Sequence, residues 1–132
     1  MITKIVIMTE NEIGTLIVDS AFEIHTHIGP GLLESAYQKC LIHELEQNGL
    51  TILNEVKLPL HYKGIKLDCG YRIDLLVNKK VIIEVKMVDK LLDIHKAQLL
   101  TYLKLTGCKL GYLLNFKTSR MKNGIKRMVN KL

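Results

Sequence analysis

The sequence contains no CxxC pair, and no apolar run in it approaches the roughly 20 residues a membrane-spanning helix needs. Its three cysteines, Cys40, Cys69 and Cys108, are odd in number and far apart. That pattern supports neither a zinc knuckle nor a disulfide framework, and predicts reduced, mostly buried thiols in a cytoplasmic protein. The opening stretch Met1 to Met8 is apolar in part but too short for a signal segment with a cleavage site. Low-complexity tracts, internal repeats and linkers are lacking too, so nothing argues for disorder or for a solenoid.

What is present suits one domain over 1–132: the chain has 132 residues, of which 48% are hydrophobic, enough for a packed core. Lysine and arginine number 19 against 13 acidic residues, a net charge of +6. A basic excess of this size favours a polyanionic partner, although solubility alone would account for it equally well.

Hydrophobic periodicity predicts helices over about 9–28 and 32–48, the first opened by a capping-box pair, Thr9 and Glu12, and stopped at Gly29-Pro30-Gly31. A strand follows over about 50–60, with Pro59 marking an edge or an interruption, and His61-Tyr62 and Ile65 to Cys69 flank a Lys63-Gly64 turn. Two further strands, Tyr71 to Val77 and Val81 to Met87, are separated by Asn78-Lys79-Lys80. A third helix fits Leu92 to Thr106, an apolar strand Lys109 to Phe116, and a short final strand Ile125 to Val129. The order α-α-β-β-β-β-α-β-β implies a mixed sheet covered by helices.

Pairing Val77 with Val81 places Asp74 directly opposite Glu84, because the numbers of facing residues then sum to 158. Alternation puts Lys86 on the face of Glu84. Two acids and a lysine then share one patch of a strand pair that is otherwise apolar. Two carboxylates so close repel, and a sheet interior solvates them poorly. A divalent cation with oxygen ligands, magnesium or manganese, would relieve both penalties, and Lys86 would serve the attacking water or the phosphate under attack. The competing reading is a surface ladder in which Lys86 pairs with Glu84 and faces Arg72. The apolar flanks weigh against it, since strands this rich in Val, Ile and Leu are usually covered on both faces.

Asp74 followed by Glu84-Val85-Lys86 resembles the D…(D/E)XK signature of the PD-(D/E)XK nuclease superfamily, although Ile73 stands where the superfamily name has proline. Gly31-Leu32-Leu33-Glu34-Ser35-Ala36-Tyr37 resembles the GxxExxY motif of one of its branches. Ala97-Gln98-Leu99-Leu100-Thr101-Tyr102 is similar to the QxxxY helix motif of its RecB-like members. The resemblance implies a restriction-endonuclease-like α/β core and hydrolysis of phosphodiester bonds, with DNA as the expected substrate and Mg2+ or Mn2+ as cofactor. It implies Asp74, Glu84 and Glu34 around the metal, Lys86 and Gln98 in catalysis, and Tyr102 against the substrate. A non-catalytic module binding nucleic acid or protein on the same fold is the alternative.

Lys117, Arg120, Lys122, Lys126, Arg127 and Lys131 crowd the C-terminal segment, which suits either phosphate-backbone binding or a solvated charged turn. His25 and His27, two apart on a helix, point to different sides and read as surface or packing residues. His95 lies three residues before Gln98, within reach of the same face. Tyr37 is expected to pack between helices. A chain this small has no separate recognition domain, so a homodimer or a larger protein partner is one way in which specificity could be added.

Overall fold

The computed structural model describes residues 7–132, so Met1 to Val6, most of the opening apolar stretch, lie outside the described residues. Helices α1 (Glu10–Ile28) and α2 (Glu34–Gln47) come first. They are followed by β1 (Ile52–Lys57), the hairpin strands β2 (Leu60–Tyr62) and β3 (Ile65–Leu67), β4 (Arg72–Val77) and β5 (Val81–Lys86). Helix α3 (Asp93–Thr106), β6 (Leu110–Asn115), a 3₁₀ turn (Met121–Asn123) and β7 (Ile125–Val129) complete the order.

Local chemistry explains the boundaries. Thr9 Oγ1 accepts the Glu12 N–H and the Glu12 carboxylate accepts the Thr9 N–H, closing the capping box that opens α1. Gly107, at φ 76°, supplies the left-handed residue that ends α3. The chain reverses between β4 and β5 through Asn78 and Lys79, both at positive φ, with the Lys80 N–H on the Val77 carbonyl. This is the primed turn that matches the twist of a hairpin.

β1, β4, β5, β6 and β7 form one sheet in that order, and β2 and β3 pair separately. β5 and β6 run parallel, joined by α3, whereas the other pairs are antiparallel. Side-chain alternation divides the core in two. Leu75, Val77, Ile83, Val85, Leu110, Tyr112 and Leu114 pack with α1 and α2 on one face. Ile82 and Leu113 pack with Leu99, Tyr102 and Leu103 of α3 on the other. Coverage on both faces is what the continuous apolar runs in β5 and β6 predict. The single strand expected over 50–60 is interrupted at Leu58-Pro59, so that Leu60 begins the small hairpin instead.

Candidate active site

The site forms where the central sheet departs from regularity. β4 and β5 pair in the predicted register at Leu75↔Ile83, Leu76↔Ile82 and Val77↔Val81, and the backbone ladder then stops. At the next position the two acids take over the pairing. The Asp74 N–H donates to Glu84 Oε2 at 2.7 Å, and the Val85 N–H donates to Asp74 Oδ2 at 2.8 Å. Each carboxylate is thus fixed by the backbone of the opposite strand, close to the short end of the range for charge-assisted bonds.

β4 also turns over here. Ile73 packs with the α3 cluster and Leu75 with the α1–α2 cluster, although residues two apart on a regular strand share a face. Across from Asp74, Glu55 of β1 adopts a left-handed backbone with φ 52°, and it has no place in the β1–β4 register between Asn54↔Leu75 and Val56↔Ile73. The distortion falls on the residue that carries the first acid, as is common where a sheet aims a functional side chain.

Glu84 is buried at 4% exposure. Burial first, and then the charge of Asp74, push its carboxyl up to about 8, against the opposing pull of the Asp74 N–H and of Lys86. Burial likewise raises Asp74 above the ordinary carboxylate range; the Val85 N–H and Lys86 resist, and Glu34 and Glu55 add to the rise. Lys86 is half-buried at the end of β5 and is the cation that acts on both acids. The surface-ladder alternative does not occur: Arg72 pairs with Glu55 at 3.2 Å, both exposed, while Glu84 lies inside.

Glu34 is the first residue of α2 and exposed, near enough that its charge raises both Asp74 and Glu84. Its placement depends on Tyr37, which is fully buried. The Tyr37 hydroxyl donates to the Gly29 carbonyl at 2.5 Å and accepts the Leu32 N–H at 3.2 Å, while its ring stacks on Phe116 at 4.4 Å. The Gly29–Gly31 turn and the start of α2 are thereby tied to the end of β6. Tyr37 packs against β6 rather than only between helices.

Gln98 and Tyr102 of α3 share one cavity wall, and the Tyr102 phenol is raised by burial and then by the Glu84 charge, with Tyr71 and Asp74 contributing. Tyr102 also packs with Ile73 and Ile82, which neighbour the two acids along β4 and β5, so it lies on the α3 side of the sheet within range of their charges. His95 is used locally, its Nδ1 accepting the Leu92 N–H at 2.9 Å, which fixes the Nε2–H tautomer if the ring is neutral. His27 pairs with Glu23 on the surface and His25 bonds the Thr118 carbonyl, so neither faces the acids.

The basic C-terminal residues divide. Lys117 is paired with Asp89 at 2.6 Å, and Arg120, Lys122 and Lys126 are exposed. Lys126 sits opposite Leu113, which sits opposite Glu84, so all three lie in one cross-strand row on the α3 side. Arg127 belongs to the next row, with Tyr112 and Ile83, and bonds Asn11 of α1 at 2.7 Å. The structure does not bring Arg127 to the carboxylates.

One further positioning residue carries only a faint signal in the sequence. Asn115, buried and beside Lys86 in the parallel register, donates to the Val88 carbonyl at 2.8 Å and accepts the Val88 N–H at 3.2 Å. It fixes the chain as it leaves β5. The signal available was a lone amide inside an otherwise apolar strand.

The donor set suits a hard cation. Among the described residues no three His, Cys, Asp or Glu side chains form a ready-made cage, but Asp74 and Glu84 offer two carboxylates, each with one oxygen free of hydrogen bonds. No buried side-chain oxygen among the described residues lacks a partner, so those free oxygens are not sealed in the interior. One or two carboxylates plus water is the usual share the protein gives to magnesium.

Among the described residues no helix is long and apolar enough to cross a membrane. Neither a curated protein nor a solved structure matches the chain. A family model does match, over residues 11–128, from the first turn of α1 through β7, and so takes in the acid pair, Lys86 and the mixed sheet that presents them. With an α/β core of the restriction-endonuclease-like type and a match over nearly its full length, this chain belongs to the PD-(D/E)XK nuclease superfamily.

Proposed function

We propose that the chain is a Mg2+- or Mn2+-dependent nuclease that hydrolyses phosphodiester bonds in DNA, of the GxxExxY branch. The observation that carries this reading is the pair of half-buried Asp74 and buried Glu84, cross-bonded to each other's strands at 2.7 and 2.8 Å with Lys86 alongside. Such a pair is a standing cost to an empty fold, because burial and mutual repulsion both oppose ionisation. It is accounted for if the pair holds a cation in use.

In this reading Asp74 and Glu84 hold the metal through their free oxygens, with Glu34 adding negative charge at the cleft edge. When bound, the metal supplies Lewis-acid polarisation of the phosphate and makes the attacking water more acidic. Lys86 orients that water or offsets charge gathering on the phosphate. Gln98 and Tyr102 line the substrate side. The crossed hydrogen bonds keep both carboxylates in place before substrate arrives, so that little reorganisation remains for the chemical step.

The test is cleavage of linear, circular, single-stranded and branched DNA with magnesium, manganese or EDTA, beside Lys86→Ala and Asp74→Asn. Asparagine keeps an oxygen to accept the Val85 N–H, so the strand pairing survives while the charge is lost. Metal-dependent cutting that falls by at least about 100-fold in both variants is expected, as for loss of a group stabilising transition-state charge. Unchanged cutting in either variant removes that residue from the site. Tight DNA binding without cutting by the unaltered chain would point to the non-catalytic module.

A further inference from the structure

Next to the acid pair, α3 and the segment before β4 enclose a second feature, a cavity of about 320 Å³ with Leu60, Tyr71, Ile94, Gln98, Thr101 and Tyr102 in its walls. It lies at the low end of the ~300–1,000 Å³ typical of ligand sites, room for one flat group and not for a helix or a duplex. Tyr71 is 43% exposed, and its ring meets that of Tyr102 edge to face, 6.3 Å between centroids at 68°. Thr101 has its hydroxyl committed to the Ala97 carbonyl, whereas the Gln98 amide makes no hydrogen bond among the described residues. The cavity thus combines an exposed aromatic face, aliphatic walls and one free amide with both a donor and an acceptor. Tyr102 connects it to Glu84 and Asp74, whose charges it feels.

We propose that this cavity receives one unpaired nucleobase of the DNA strand whose phosphate lies at Asp74 and Glu84, so that the chain acts on single-stranded or frayed DNA in preference to continuous duplex. This rests on the nuclease reading above. Every base has a π-face, so stacking on Tyr71 is tolerant of sequence, and the Gln98 amide can pair with a base edge. A base within a duplex keeps both faces in its own stack and has no face to offer. An apolar peptide side chain would fill the same walls, but a peptide brings no phosphate to the adjoining acids.

The decisive experiment measures binding by fluorescence anisotropy in calcium, and cleavage in manganese. Its substrates are a short single-stranded DNA, the same sequence as blunt duplex, and a series in which one abasic site is moved along the single strand. Proteins are the unaltered chain, Tyr71→Ala and Tyr71→Phe, the last retaining the ring. Expected for the unaltered chain are tighter binding of single strand than of duplex and one abasic position that weakens binding on the order of 10- to 100-fold, the range for losing one base–aromatic stack. Tyr71→Ala should lose the same factor on intact strand and become indifferent to that abasic site, whereas Tyr71→Phe should behave as the unaltered chain. Equal binding of duplex, no sensitive position, or an abasic penalty undiminished in Tyr71→Ala would overturn the proposal even if cleavage proceeds. The expected binding pattern without any cleavage would uphold the base pocket and sink the nuclease reading instead.

Discussion

Asp74 and Glu84 replace one rung of a β-ladder with two side chain–backbone bonds, and that exchange has a thermodynamic signature. Glu84 in the folded chain is raised from an ordinary 4.5 to about 8, chiefly by burial. Between those values the native state holds a proton that the unfolded chain has released, so the unfolded state binds fewer protons and stability falls as pH rises. The metal-free chain should therefore be most stable below about 4.5 with respect to this group, lose stability through the window up to about 8, and level off above it. The loss should be on the order of a few kcal/mol. Glu84→Gln, which carries no titrating proton, should flatten this slope. Magnesium should restore stability at the high-pH end, because it binds the ionised form. Urea melts in EDTA at several pH values measure the effect, and a slope unchanged in Glu84→Gln would show that the group is not so perturbed. The approach of these two acids was legible in the sequence, since the hairpin register that the structure keeps as far as Leu75↔Ile83 brings them together at the next position. The turning-over of β4 at Asp74 was not. It falls opposite a left-handed Glu55 in a neighbouring strand, and glutamate carries no sequence signal for positive φ.

At the scale of elements, helices and strands were readable because periodicity and stop signals agree along most of the chain. Their ends were less so. The second helix was expected from Leu32, yet α2 begins at Glu34, because the Leu32 N–H is held by the Tyr37 hydroxyl and Leu33 remains extended as the cap. That hydrogen bond is a tertiary event that helix propensity does not encode. It also gives Tyr37 a testable role. Tyr37→Phe keeps the stack on Phe116 but strands the Gly29 carbonyl and the Leu32 N–H. Stability should fall by about 1–2 kcal/mol, read as a lower urea midpoint with an unchanged slope. Cleavage should weaken as well, because the start of α2 that carries Glu34 is no longer tied to β6. A Tyr37→Phe protein of undiminished stability would mean that the phenol is dispensable to the turn.

For the molecule as a whole, the sheet order decides which of the basic residues can cooperate with the acids. Lys126, Leu113 and Glu84 form one cross-strand row, so with strands about 4.8 Å apart Lys126 leaves the sheet roughly 10 Å from Glu84, on the same face. Arg127 leaves from the other face, beside α1, where Asn11 holds it. The sequence presents both as neighbours in one basic run, and only the register separates them. If the phosphate backbone crosses the α3 face, each contact it makes there releases counterions, and binding falls with rising salt by a slope near 0.7 per contact for a single strand. Lys126→Ala should reduce that slope by about one contact and weaken binding of all DNA sequences alike, whereas Arg127→Ala should leave the slope unchanged. Titrations of single-stranded DNA at several potassium chloride concentrations provide the comparison. A slope reduced by Arg127→Ala as much as by Lys126→Ala would mean that DNA wraps around β7, an edge strand, and uses both faces of the sheet.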